Sequence, residues 1–161
     1  MSIELFEIVQ SGNIGMQLGA TPFVQGFDDV DWEQPLECFD IVEARGSIIT
    51  PDIPTGRITV LREGNWKFSV MLNCEFSTSR TMQYQLWVSL AGGAFANAGP
   101  TLSQVGLGAG KSNILPYTGH LNFPAAALPV VMELRGQCLS STVDVTFNSG
   151  NYGLTYAGAP V

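Results

Sequence analysis

Between Trp66 and Phe76 every second residue is large and apolar: Trp66, Phe68, Val70, Leu72, Cys74 and Phe76 alternate with Lys67, Ser69, Met71, Asn73 and Glu75. Successive side chains of a strand point to opposite faces, so this period of two puts the apolar groups on one side of a long strand. A turn-like cluster, Arg62-Glu63-Gly64-Asn65, precedes it, and before that comes a shorter alternation, Arg57 to Leu61. Met82, Tyr84, Leu86, Val88 and Leu90 alternate with Gln83, Gln85, Trp87 and Ser89 in a second half-buried strand. Tyr117 to Phe123, Val130 to Arg135 and Thr142 to Phe147 repeat the pattern, and Asn148-Ser149-Gly150-Asn151 reads as a turn into a last strand, Tyr152 to Tyr156.

Other stretches are weaker. Ile14 to Phe27, with Gly15, Gly19, Pro22 and Gly26, suits an irregular or edge strand. Phe39 to Ile49 reads as a strand pair broken at Gly46, and Pro51, Pro54 and Gly56 punctuate a loop. Gly92 to Gly110, rich in Gly, Ala, Ser and Asn, reads as a surface excursion. Seven to nine short strands without a convincing helix predict an all-β sandwich or barrel.

At 161 residues the chain is one domain's worth, and a domain of this size buries about 70% of its unfolded surface. Residues 1–15, apolar at Ile3, Leu5, Phe6, Ile8 and Val9, read as an N-terminal arm, and 16–161 as a single domain. Charged residues make up 13%, roughly half the usual share of about 25%. Much of the surface is therefore neutral, as suits a chain that covers surface with partners. The net charge is -7, without a Lys/Arg cluster, which argues against nucleic acid and against an anionic membrane as partners. The N-terminal residues lack the pattern of a secretory signal, and no apolar run approaches the roughly 20 residues of a membrane span. A cytosol-like compartment is expected. Cys38, Cys74 and Cys138 are odd in number and outside any CxxC pair, against both a disulfide framework and a zinc site; Cys74 reads as a small buried hydrophobe.

Several chemistries fall away. The stretch Gly106 to Ser112 resembles a phosphate loop, but Val105 stands where the motif needs glycine and Asn113-Ile114-Leu115-Pro116 does not open a helix. His120 is the sole histidine, too few for a histidine-based metal site, and no GxSxG motif supports a triad. It reads as a solvent-facing or interface residue. Asp28, Asp29, Asp31 and Glu33 form the densest charge cluster. Acidic oxygens on a loop suit Ca²⁺, but the spacing is not that of an EF-hand, and a solvated acidic loop is the plainer reading. The same carboxylates are conceivable as a glycosidase pair, which only their separation in space decides. Trp87 falls on the polar face of its strand, where an aromatic stacks on a sugar, anchors an interface or is half-covered by the Gly-rich excursion; Trp32 joins it as a possible ligand or partner surface.

The segment Ile58 to Leu72 resembles the tumour-necrosis-factor and C1q-like jelly rolls, in which a short strand leads through a Gly-aromatic turn into a long aromatic-rich strand. Val143 to Tyr156, with Gly150-Asn151-Tyr152-Gly153, is similar to their closing strand pair. The resemblance covers roughly residues 15 to 157 and implies a jelly-roll β-sandwich that forms a homotrimer. Lacking a collagen-like stalk and paired cysteines, the chain is most similar within that group to the jelly-roll trimers of tailed bacteriophages. That likeness implies a non-enzymatic, cofactor-free and metal-free capsid cement (decoration) protein of the virion, made in the bacterial host cytoplasm and bound to the major capsid protein. Trp66, Phe68, Tyr152 and Tyr156 would make the trimer contact, and Ile3, Leu5, Phe6 and Ile8 the capsid contact. The alternatives are a receptor- or glycan-binding module of a phage fibre or tail, with Trp32 and Trp87 at its tip, and a secreted TNF/C1q-like ligand domain.

Overall fold

The computed structural model describes residues 13–18, 23–30, 32, 35–36, 39–45, 49–52 and 56–159. These contain twelve strands: β1 (Asn13–Leu18), β2 (Phe23–Phe27), β3 (Phe39–Arg45), β4 (Ile49–Asp52), β5 (Arg57–Val60), β6 (Gly64–Phe76), β7 (Ser79–Leu90), β8 (Phe95–Asn97), β9 (Leu102–Leu107), β10 (Ser112–Phe123), β11 (Val130–Cys138) and β12 (Val143–Gly158). A single 3-10 turn, Ala125–Ala127, is the only helical element among the described residues. Sheet I has the order β10-β6-β12-β1-β3, with β2 also on β12; sheet II has the order β4-β5-β11-β7-β8, with β9 also on β7. Two antiparallel sheets face to face make a sandwich, as the alternation predicts, of the jelly-roll kind that the resemblance implies.

The alternation of β6 is real throughout its length. Trp66, Phe68, Val70, Leu72, Cys74 and Phe76 are all buried between the sheets, opposite Ile58, Val60, Tyr84, Leu86, Met132 and Leu134 of sheet II. Burying each large side chain contributes about 1.5–3 kcal/mol, and this shared interior is what joins the two layers. On β7 the apolar stripe stops one step early: Val88 is buried, but Leu90 is 46% exposed.

The C-terminal segment departs from the reading of two strands joined by a turn. Val143 to Gly158 is one continuous strand, paired along one side with β6 and along the other with β2 and then β1. Its register against β6 skips Asn148: Phe147 stands opposite Cys74 and Ser149 opposite Asn73. One extra residue in a strand reverses which parity faces inward. Val143, Val145 and Phe147 therefore face the core before the bulge, and Tyr152 and Leu154 face it after. Gly150 is required beside the bulge, because a Cβ there would stand 2.6 Å from the Met71 carbonyl oxygen.

Four further expectations change. The Gly-rich excursion folds back on β7 as β8 and β9; Gly106 of β9 leaves no space for a side chain because the Phe76 ring occupies it. Pro51 lies inside β4, at the edge of sheet II, where a missing N–H costs no ladder bond. Phe39 to Ile49 is not a pair, since β3 belongs to sheet I and β4 to sheet II, and Gly46 lies outside the described residues. β1 is an interior strand between β12 and β3, and it starts at Asn13, within the stretch read as the arm.

Candidate interaction surfaces

The outer face of sheet I is built by the residues that the core rejects. Cross-strand register lays them in rows across β10, β6 and β12: Ile114, Asn73 and Ser149; Pro116, Met71 and Asn151; Thr118, Ser69 and Gly153; His120, Lys67 and Thr155. Three of these rows carry no charge at all. Ile114 is 65% exposed and Met71 39%, so two apolar groups stand exposed within the uncharged rows. His120 is exposed on this face, opposite Lys67, as the reading of a solvent-facing or interface residue expects.

The aromatics expected at a trimer contact are elsewhere. Trp66, Phe68 and Tyr152 are 0%, 3% and 0% exposed, so they have no surface to give a second chain, and Trp66 cannot extend the apolar stripe beyond its own subunit. The physical reason is area: large rings gain most where both sheets cover them. Trp66 packs edge-on against Tyr156 at 5.3 Å and donates Nε1–H to the Arg62 carbonyl at 3.2 Å. Phe68 packs edge-on against Tyr152 at 5.6 Å. Tyr156 alone of the four is only partly buried, and the Arg62 guanidinium lies 4.0 Å from its ring centre. Ile3, Leu5, Phe6 and Ile8 lie outside the described residues.

On the outer face of sheet II the structure brings Trp32 and Trp87 together through Arg135. The Arg135 guanidinium stacks on the Trp87 ring at 4.4 Å and donates Nη1–H to the Trp32 carbonyl at 3.1 Å. Its Nε–H donates to Glu133 Oε1 at 2.7 Å, while Arg57 Nε–H donates to Glu133 Oε2 at 2.8 Å. Phe95 of β8 lies over both guanidinium groups, at 4.9 Å from Arg57 and 5.2 Å from Arg135. Glu133 is therefore 2% exposed although its position faces outward. Gln85 accepts from Trp87 Nε1–H at 3.0 Å and donates to Thr101 at 2.8 Å, which ties the β8–β9 connection down. Trp87 is half-covered, as one of its readings anticipated, and its ring holds an arginine. Sequence reasoning missed Phe95, Arg57 and Arg135; the alternation of β11, with Glu133 and Arg135 on its polar parity, was the available signal.

The described acidic residues brace backbone. Asp28 Oδ1 accepts from the Val30 N–H at 3.1 Å and Asp29 Oδ2 from the Ser141 N–H at 2.8 Å; Asp31 and Glu33 lie outside the described residues. Among the described residues no group of three or more His, Cys, Asp or Glu could hold a metal ion. The stretch 106–112 joins β9 to β10 with no helix between them. Burial pushes the Cys74 thiol up to about 12, despite hydrogen bonds with Gln104 and Tyr84 that pull the other way. A cavity of about 60 Å³ opens between the sheets beside β10, with Phe68, Leu86 and Leu134 inside it and Pro100, Tyr117 and Leu121 around it.

No family model matches the chain, and no curated protein does. Solved structures match over nearly the whole length. An Eiger TNF from S. frugiperda has a TM-score of 0.64 at 13% identity, covering 94% of this chain and 95% of that one. The globular domain of zebrafish complement 1qA protein has a TM-score of 0.58 at 11% identity, covering 93% and 99%. Murine APRIL has a TM-score of 0.55 at 6% identity, covering 92% and 100%. At such identities the likeness is one of fold: the chain is a TNF/C1q-like jelly roll.

Proposed function

We propose that this chain is a non-enzymatic jelly-roll module that works as a homotrimer and acts by binding. The observation that carries this reading is the outer face of sheet I, where neutral residues fill successive rows and Ile114 and Met71 project. Centres of interfaces are depleted in charge, and homodimeric ones are more apolar than ordinary surface. The contact thus falls on Met71, Ile114 and Pro116, with Tyr156 the one retained member of the aromatic set. Of the places such a trimer could serve, we favour a virion shell, as a cement protein made in bacterial cytoplasm and bound to the major capsid protein. Its support is the sequence resemblance to phage jelly-roll trimers. A protein that binds only the assembled shell stabilises it by its binding free energy, and three linked copies make the later contacts intramolecular.

Sedimentation of the wild type is expected to give a trimer, and of Met71→Asp with Ile114→Asp a folded monomer of unchanged melting temperature. A wild type that stays monomeric at high concentration sinks the reading. On particles, a cement protein appears in hundreds of copies and its loss lowers heat resistance without abolishing adsorption. The second reading, a secreted TNF/C1q-like ligand domain, is favoured by the fold of the three solved structures; it predicts instead saturable binding of the trimer to cell surfaces.

A further inference from the structure

The sandwich is incompletely closed along one side. On β6 every inward residue from Gly64 to Phe76 is buried. On β10, the edge strand beside it, the inward residues Asn113, Leu115, Tyr117, Gly119 and Leu121 are all only partly buried. Sheet II meets this strand with the link between β8 and β9, residues 98–101, in place of a full strand. The gap between them is the cavity of about 60 Å³ described above, and its floor is core: Phe68, Leu86 and Leu134 are buried.

Glycine keeps both walls of the cavity thin. A Cβ on Gly99 would meet nothing closer than Leu86 Cβ, at 4.0 Å, so a side chain fits there and none is present. On β10, Gly119 leaves room for the Tyr117 ring, which folds over it: a Cβ at position 119 would stand 2.8 Å from the Tyr117 hydroxyl oxygen. The same ring packs, tilted, on Phe68 at 6.0 Å. Among the side chains that line the cavity from inward positions, the Tyr117 hydroxyl is the polar group, since His120 has the outward parity of β10. Larger residues in the wall would gain dispersion contacts; the chain forgoes them by setting Ala98 and Gly99 over three large core side chains.

We infer that this cavity binds a short, neutral alkyl group, with an oxygen of the same ligand beside the Tyr117 hydroxyl. The lining sets the class. Apolar walls favour hydrocarbon, and no Asp, Glu, Lys or Arg lines the cavity to replace the hydration that an ionic group would lose. Size sets the length: a cavity of about 150 Å³ holds a benzene ring, so one of about 60 Å³ takes a chain of about two or three carbons and no ring. The Tyr117 hydroxyl has no hydrogen-bond partner among the described residues and donates to an alcohol, ester or amide oxygen. The inference stands independently of the self-associating reading above.

The probes are straight-chain alcohols from ethanol to hexanol, titrated into the full chain and followed by methyl resonances in NMR. Saturable shifts are expected at Leu86 and Leu134, while Val143, buried at the other end of the sandwich, stays put. Affinity is expected to rise about fourfold per methylene up to propanol or butanol and then to level off. Gly99→Val fills the cavity and should abolish the saturable shifts; where that variant does not fold, the smaller Gly99→Ala should weaken propanol about threefold or more. Tyr117→Phe is expected to weaken propanol about fivefold and to leave binding of xenon, read at the same methyl groups, unchanged. Absent shifts at Leu86 and Leu134 overturn the inference. So does affinity that climbs unbroken to hexanol, ignores Gly99→Ala, or is as high for propionate or propylammonium as for propanol. Equal propanol affinity in Tyr117→Phe overturns the placement of the oxygen.

Discussion

Deleting Asn148 should cost little. The residue is the unpaired member of the β12 bulge: Phe147 stands opposite Cys74 and Ser149 opposite Asn73, which are neighbours on β6. Without Asn148 the ladder runs on unbroken in the same register, so Val145 and Phe147, then Tyr152 and Leu154, go on facing the interior. The change in stability should stay within about 1 kcal/mol, a melting shift within about 4 °C for a chain of this size. The opposite outcome has a calculable size. If the later segment turned over instead, Tyr152 and Leu154, 0% and 1% exposed, would point to solvent together with half-buried Tyr156. At about 1.5–3 kcal/mol for each fully buried side chain, the lost burial would come to roughly 5–7 kcal/mol. That is half or more of the typical total of about 5–15 kcal/mol. Calorimetry of the deletion beside Asn148→Ala, with near-ultraviolet circular dichroism for tyrosine packing, separates the two outcomes. A deletion that melts more than about 10 °C below wild type, with its tyrosine signal lost, refutes this register.

Glu133→Gln should destabilise by about 3 kcal/mol, because it leaves Arg135, whose side chain is 12% exposed, without its counter-charge; Arg57→Ala, at 40% exposure, should cost about 1 kcal/mol or less. Urea midpoints check the order, and equal effects would contradict it. Gly106→Ala drives a methyl group into the Phe76 ring and is expected to cost about 1–3 kcal/mol, partly recovered by adding Phe76→Leu; additive losses in a double-mutant cycle would refute the contact. Burial raises the Cys74 thiol from 9.0 to about 12, so the folded chain keeps a proton that the unfolded chain loses. Stability is thus full below pH 9 and falls as pH rises toward 12, by an amount on the order of 4 kcal/mol. Tyr152, also raised by burial, adds a fall of the same sign that begins at its ordinary 10.0. Melts at about pH 8 and pH 10.5 compare the two regimes, and Cys74→Ala should flatten the early part of the decline.

The long strand was legible because the parity of six apolar residues survives intact into the folded β6. The same parity signal was present in Val143 to Tyr156, where apolar residues switch from odd to even positions. Asn-Ser-Gly-Asn has the composition of a turn, and composition concealed what the switch of parity states directly. Glycine misled in a second place: Gly106 serves close packing on Phe76, not a loop. The surface was the least legible part, for a physical reason. Large aromatics draw attention, yet Trp66 and Tyr152 gain most by burial, whereas a neutral face made of Ser69, Asn73, Thr118 and Gly153 has no sequence signature until strand register sets these residues side by side.

The place of β12 has a consequence for how the chain reaches its fold. That strand runs through the middle of sheet I, holding β6 along one side and β1 and β2 along the other. Strands formed from residues 13–27 and 64–76 therefore have no direct ladder to one another until residues 143–158 arrive. Such distant pairings make folding slow, on the scale of milliseconds to seconds. During synthesis the strands made first wait for the keystone, with their unpaired edges exposed to neighbouring nascent chains.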